Sequence, residues 1–219
     1  MCDDPPDHGW FISFEGPEGS GKSTQIGLLA HALTSAGLAV RRLREPGGTP
    51  VGEEIRELLK HAPAGEGMCA ECELFLFAAS RAELVRKVVA PWVASPGHAM
   101  LADRFLDSTT VYQGVARGLG LTTVRSVNLL ATGGLLPHAT ILLDLPLAES
   151  RGRSGARNQG PDRFEREGDA FHAKVRQGYL DLAAAEPHRF IVVDGRPSPE
   201  IIHATILAEL RHRLHGLLP

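Results

Sequence analysis

The sequence predicts an α/β fold: a five-stranded parallel sheet with helices on both faces. Three observations predict it. Five short apolar runs are separated by stretches of helical periodicity. The first run leads into a glycine-rich turn and then a helix, which is how a parallel strand–turn–helix unit begins. The chain has 219 residues, 43% hydrophobic and 22% charged, enough apolar material for one substantial core.

In chain order, Trp10–Phe14 reads as a buried strand. Thr24–Leu33 reads as a helix with Ile26, Leu29, Ala30 and Leu33 on one face. Ala39–Leu43 is a short second strand, and Val51–Lys60 a helix bounded by glycine and proline. Pro63–Gly67 reads as a loop. Cys72–Val93 reads as one long helix, with Leu74, Phe77, Ala78, Leu84, Val85 and Val88 near helical spacing. His98–Asp103, Thr140–Leu145 and Phe190–Asp194 complete the strands; Leu121–Thr132 and Pro199–Leu214 read as helices. In such a sheet ligands sit at the carboxyl ends of the strands.

Residues 1–9 are acidic and proline-rich, without the basic and apolar regions of a signal peptide, and read as a flexible tail. Residues 10–219 read as a single domain. The net charge is −3 with no basic block, which argues against a nucleic-acid polymer as partner. No run of 18 apolar residues exists, so no membrane span is expected, and the expected location is the cytoplasm. There are three cysteines. Cys69 and Cys72 form one C-x-x-C with no second pair, and sharing a helix face or packing is the expected role. Ten histidines are scattered without metal-ligand spacing.

The chemistry is concentrated in a few segments. Gly16-Pro17-Glu18-Gly19-Ser20-Gly21-Lys22-Ser23-Thr24 fits the phosphate-binding loop G-x-x-x-x-G-K-[ST]. Its glycines let backbone N–H groups close around oxygens, and the following helix N-terminus adds positive potential. Lys22 can reach the β- and γ-phosphates of a nucleotide such as ATP, and the Ser23 hydroxyl can ligate Mg²⁺. Asp103-Arg104 ends the third strand on the ligand-bearing rim. There Arg104 can fork onto a second phosphate and Asp103 can organise Mg²⁺ through water; a structural salt bridge is the competing reading. Phe77 and Arg81, four apart, can stack on a base and bond its edge, although by periodicity alone a phenylalanine at this position is more often core. Ser108–Gly114 is dense in small hydrogen-bonding groups and also fits a helix start capped by Ser108. The Gly- and Arg-rich segment 151–163, containing Arg151, Arg153, Arg157 and Arg163, reads as part of a lid over phosphates spanning about 151–166, or as a solvated loop.

Together these segments resemble bacterial thymidylate kinases, from about Trp10 to the C-terminus. The resemblance rests on Phe14–Thr24, Arg44-Glu-Pro-Gly-Gly-Thr49, Leu76-Phe-Ala-Ala-Ser-Arg81, Asp103-Arg104, Ser108-Thr-Thr-Val-Tyr-Gln-Gly114 and Asp162-Arg-Phe-Glu165, in that order. It implies transfer of the ATP γ-phosphoryl group to dTMP. It also implies that Phe77 stacks on thymine, that Arg81 bonds its carbonyl, and that Gln113, Ser108 and Thr109 lie by the base. Tyr112 would pack against the deoxyribose, Glu18 would face the sugar 3′-hydroxyl, Pro46 would line the nucleoside pocket and Arg104 would hold the acceptor phosphate. The family places an auxiliary arginine in the phosphate loop or in the lid; this loop has none, so the resemblance implies a lid arginine, with Arg153 and Arg163 the first choices. A homodimer is implied by the resemblance alone. A kinase for another nucleoside monophosphate, a P-loop switch or ATPase, and an inactive nucleotide-binding module are the alternatives. No Asn-Lys-x-Asp guanine-reading motif is present.

Overall fold

The computed structural model describes residues 7–154 and 162–218. Five parallel strands form one sheet: β1 (Trp10–Glu15), β2 (Ala39–Arg44), β3 (His98–Asp103), β4 (Ala139–Asp144) and β5 (Phe190–Asp194), in spatial order β2-β3-β1-β4-β5. β1 pairs with β3 on one side (Ile12 beside Leu101) and with β4 on the other (Phe14 beside Ile141). The chain leaves β1 toward one edge and later returns to its other side. This opens a crevice at the carboxyl end of β1, where the expected ligand site lies.

Alternation along β1 sets the two layers. Ile12 and Phe14 face α1 (Lys22–Ser35) and α9 (Pro199–Arg213), packing with Leu29, Leu33, Ile202 and Ile206. Phe11 points the other way, with Phe105, Leu84, Val85 and Val89. β2 is one of the two edge strands, and its burial pattern is mostly open, which suits its three arginines, Arg41, Arg42 and Arg44.

The expected strands are all present. The long helix is not continuous in type. α3 (Ala70–Leu84) passes through a π-helical stretch, Val85–Val89, into a short α4 (Ala90–Val93). α2 (Pro50–Lys60) is capped by Thr49, whose Oγ1 accepts from Gly52 N at 3.0 Å. The segment 63–67 read as a loop contains a short 3₁₀ turn, Pro63–Gly65. After β3, α5 (Leu106–Thr109) runs into a π-helical stretch, Thr110–Ala116. Ser108 lies inside α5 rather than capping it, because its hydroxyl is engaged by a buried carboxylate; Phe105 occupies the cap position. α6 (Leu121–Thr132), α7 (Leu147–Ser154) and α8 (Asp169–Ala185) follow. Arg151 and Arg153 of the expected lid are therefore helical, on α7, while Arg157 lies outside the described residues. Cys69 and Cys72 are free and exposed at the start of α3, so neither serves the core.

Gly16 joins β1 to the phosphate loop with φ +133°, and a Cβ there would collide with the Leu143 carbonyl of β4. Gly16→Ala is expected to lower unfolding free energy by at least about 1 kcal/mol, read as a reduced urea midpoint at unchanged slope.

Candidate active site

The loop from Gly16 to Gly21 curls over the end of β1 with three glycines, Gly16, Gly19 and Gly21, at positive φ. α1 begins at Lys22 without a side-chain cap, so its first N–H groups remain available to an anion. Lys22 Nζ folds back on the loop and donates to Gly16 O (3.1 Å) and Pro17 O (2.9 Å). Burial, and then the charge of Arg104, lower the pKa of its ammonium group. Ser23 Oγ donates to Asp103 Oδ2 at 3.2 Å, which places both expected cation ligands on one wall. Two oxygen donors are too few for a protein-only cage. They suit a hard cation that completes its shell with phosphate oxygens and water.

Two cavities meet at this point. The first, open to solvent, spans about 1330 Å³ of empty space and is lined by Gly19, Gly21, Lys22, Ser23 and Thr24, with Arg44, Arg56, Asp103 and Arg153 around it. The second, about 850 Å³, is lined by Pro17, Pro46, Phe77, Ser108, Thr109, Tyr112, Gln113 and Phe164 among others. Glu18, Glu45, Lys60, Arg104, Asp162 and Glu165 stand in the walls of both. The first is cationic and polar; the second is aromatic, with Phe77 and Phe164 ring centroids 5.7 Å apart and Tyr112 edge-on to Phe164 at 6.1 Å.

Arg104 sits at the junction. Among the described residues it is the one non-glycine at positive φ, +68°. Its backbone N donates to Phe14 O at 3.0 Å, which fixes the turn out of β3 against β1. Nη2 donates to Glu18 Oε1 (2.8 Å), and Nη1 to Ser108 Oγ (3.2 Å) and Tyr179 OH (3.3 Å). The guanidinium carbon lies 5.5 Å from the Tyr112 ring centroid. Lys22 first, and Arg104 after it, hold the Glu18 carboxyl well below its ordinary range despite burial.

Beneath Arg104 is Glu15, the last residue of β1 and fully buried. It accepts from Phe105 N (2.8 Å), Ser108 N (3.3 Å), Ser108 Oγ (2.6 Å) and Tyr179 OH (2.7 Å). Burial pushes its pKa up to about 7, against the pull of Arg104, Ser108 and Tyr179.

Most of the expected site residues line one or both cavities. Gly16 and Ser20 form the inner turn of the loop beneath them, with Ser20 fully buried. Two further expected residues stand outside the cavity walls. Arg81 lies behind the aromatic cavity rather than in its wall. It is 1% exposed and pairs with Glu45 through Nε (2.9 Å) and Nη2 (2.6 Å), while Nη1 donates to Asn128 Oδ1 (2.9 Å) and Nη2 to Thr109 Oγ1 (2.9 Å). A guanidinium at this depth needs a carboxylate, and Glu45 beside the cis Glu45–Pro46 bond supplies it. Arg163 stands in neither cavity wall. It turns to α2 and α3, donating to Leu59 O (2.9 Å) and pairing with Glu73 Oε2 (2.7 Å). Arg153 does reach the cationic cavity, and its Nη1 donates to Gly195 O at 2.8 Å.

Several lining residues had no assigned role in the sequence reading: Arg56 and Lys60 on α2, and Asp162, Phe164 and Glu165. Lys60 Nζ pairs with Asp162 Oδ2 at 2.7 Å. The i, i+4 spacing of Arg56 and Lys60 placed two cations on one helix face and was the available signal. Asp162–Glu165 lay inside a motif already singled out.

A phosphate loop, a second anion-holding arginine at the neighbouring strand end and an adjoining aromatic cavity define a P-loop kinase. The model of the thymidylate kinase family matches residues 14–206. The thymidylate kinase of Deinococcus radiodurans is 46% identical over 207 residues, covering 94% of this chain and 98% of that protein. That of Syntrophotalea carbinolica is 48% identical over 200 residues, covering 89% and 92%. The crystal structure of thymidylate kinase from Ehrlichia chaffeensis superposes with a TM-score of 0.72 at 30% identity, covering 93% of this chain and 98% of that one. The chain belongs to the thymidylate kinase family.

The raised Glu15 pKa has a defined sign. The folded protein holds this proton up to about pH 7, whereas an exposed glutamate releases it near 4.5. Stability associated with the proton is present below about pH 4.5 and is lost as pH rises through about 7. Glu15→Gln is expected to remove this loss. Its melting temperature should gain on wild type between pH 5 and pH 8, followed by scanning calorimetry across that interval.

Proposed function

We propose that the protein transfers the γ-phosphoryl group of ATP to dTMP, giving ADP and dTDP on the route to dTTP. The observation that carries this reading is the junction at Arg104, where a cationic phosphate cavity opens into an aromatic cavity lined by Phe77, Tyr112 and Phe164. A phosphoryl donor held on the loop and a monophosphate held by Arg104 would meet there. An acceptor phosphate oxygen is already nucleophilic, so positioning and charge neutralisation supply the catalysis rather than a strong base.

In this reading Gly16 to Thr24 cradle the donor phosphates with backbone N–H groups, and Lys22 Nζ leaves its two loop carbonyls to reach the β- and γ-oxygens. Mg²⁺ entering with ATP would be held by Ser23 Oγ, with Asp103 orienting its water, and supplies neutralisation of β,γ-phosphate charge. Arg104 exchanges part of its contact with Glu18 and Ser108 for the acceptor phosphate, and Glu18 faces the sugar 3′-hydroxyl. Phe77 stacks on thymine, Tyr112 packs against the deoxyribose, and Pro46, Ser108, Thr109 and Gln113 surround the base. Arg81 acts through Thr109 and Glu45, which it holds in place behind the cavity wall. Arg153 serves as the lid cation. Arg163 anchors the return of the lid segment to α2 and α3.

A homodimer belongs to the same proposal. α3 and α6, which pack on each other, leave Phe75, Leu129 and Leu130 exposed at 61%, 64% and 77%, a face suited to a second copy. No described helix is long and apolar enough to cross a membrane. The proposed location is the cytoplasm, where the nucleotide substrates are held.

The test is ADP formation from ATP with Mg²⁺ and dTMP, dUMP or dCMP as acceptor. Turnover is expected to be best with dTMP, poorer with dUMP and at least about 10²-fold poorer with dCMP, and to be abolished by Lys22→Ala. Equal turnover of the three acceptors would overturn the base-pocket assignment. The two lid arginines should separate as well. Arg153→Ala is expected to lower kcat by at least about tenfold with little change in melting temperature. Arg163→Ala, which leaves Glu73 with one cation fewer, should instead lose about 1–3 kcal/mol of stability in urea unfolding.

A further inference from the structure

Gln113 occupies the wall of the aromatic cavity beside Phe77 and is 1% exposed. A glutamine amide can present either its carbonyl or its NH₂ to a base, and the two choices select opposite base edges. The surroundings remove that freedom. Nε2 donates to Glu73 Oε1 at 2.8 Å. Glu73, fully buried one turn before Phe77 on α3, also takes Arg117 Nε at 3.2 Å and Arg163 Nη1 at 2.7 Å. A carboxylate facing two guanidinium groups accepts hydrogen bonds and offers none, so only the NH₂ side of Gln113 can face it. The Gln113 Oε1 has no hydrogen-bond partner among the described residues, and Gln113 lines the aromatic cavity.

We propose that Glu73 is a specificity-determining positioning residue: it locks the Gln113 amide with its carbonyl oxygen toward the base and so selects a ring that offers N3–H. The proposal rests on the base-pocket reading above. Thymine and uracil carry a proton on N3, which such an oxygen accepts. Cytosine, held in the same register over Phe77, brings a lone pair at N3 against that oxygen. A site built around one polar edge rejects the mismatched edge strongly, because buried partners are left unpaired. Arg163 gains a second role here. By pairing with Glu73 it ties the end of the lid segment to the group that orients the base reader.

The experiment compares kcat/KM for dTMP and dCMP in wild type, Glu73→Gln, Arg117→Met and Gln113→Ala. A glutamine at 73 can accept or donate, which frees the Gln113 amide to turn. The dTMP-over-dCMP ratio is expected to fall at least about tenfold in Glu73→Gln. Arg117→Met removes one ion-pair partner but keeps the carboxylate, and its ratio should stay within about threefold of wild type. A purely structural role for Glu73 would lower both substrates in proportion and leave the ratio unmoved. Loss of the ratio in Gln113→Ala with its retention in Glu73→Gln overturns this proposal alone. Retention in Gln113→Ala overturns the base-edge reading beneath it. If Glu73→Gln does not fold, side-chain amide NMR of the wild-type protein decides, with Gln113 assigned through Gln113→Ala. A widely split, slowly exchanging NH₂ pair is expected, and a narrow, fast-exchanging pair overturns the lock.

Discussion

The site depends on the contact between Arg104 and two glutamates, one just before the phosphate loop and one within it. Glu15 ends β1 and Glu18 stands inside the loop, so both belong to the strand–turn–helix unit; Arg104 follows β3, its neighbour in the sheet. Holding a guanidinium there requires a backbone turn at positive φ, which few side chains tolerate. The turn is fixed from below by Phe14 O and by the Glu15 carboxylate on Phe105 N. Sheet register therefore becomes site geometry: a shift of β3 against β1 would move the acceptor arginine away from the donor loop.

Around this junction the cavity walls are made by side chains that are themselves held by others. Thr109 receives Arg81, which is neutralised by Glu45 and bonded to Asn128 of α6. Gln113 is oriented by Glu73, which gathers Arg117 and Arg163. Ser108 and Tyr179 share the Glu15 carboxylate with Arg104 close by. Each buried charge in these networks has a partner of opposite sign, the condition under which charge is tolerated in an interior. The partners come from separate helices, so the pocket is rigid only when α3, α5, α6 and α8 are packed together.

Much of the fold was legible in the sequence because β1, β3 and β4, buried on both faces, read as nearly continuous apolar runs and glycines mark the turns between elements. All five strands were found. Of the helical course Leu106–Ala116 only a helix start at Ser108 was legible, because its Ser-, Thr- and Gln-rich sequence carries no apolar stripe and turns polar side chains into buried networks. The switch to a π-helical stretch at Val85–Val89 left no local signature either, since apolar spacing there fits ordinary helix.

The sequence by itself determined the phosphate loop, the parallel α/β sheet and most of the cavity-lining residues, because those depend on local backbone requirements and on short motifs. Only the tertiary structure decided which charged residues meet. It turned Arg163 onto Glu73 instead of toward the phosphate cavity, drew Arg81 behind Thr109, and added Arg56, Lys60 and Asp162 to the walls. The physical reason is that a charge chooses its partner by distance and burial. Both are set by packing between elements far apart in the chain, as with Glu15 and Tyr179, 164 residues distant and 2.7 Å apart.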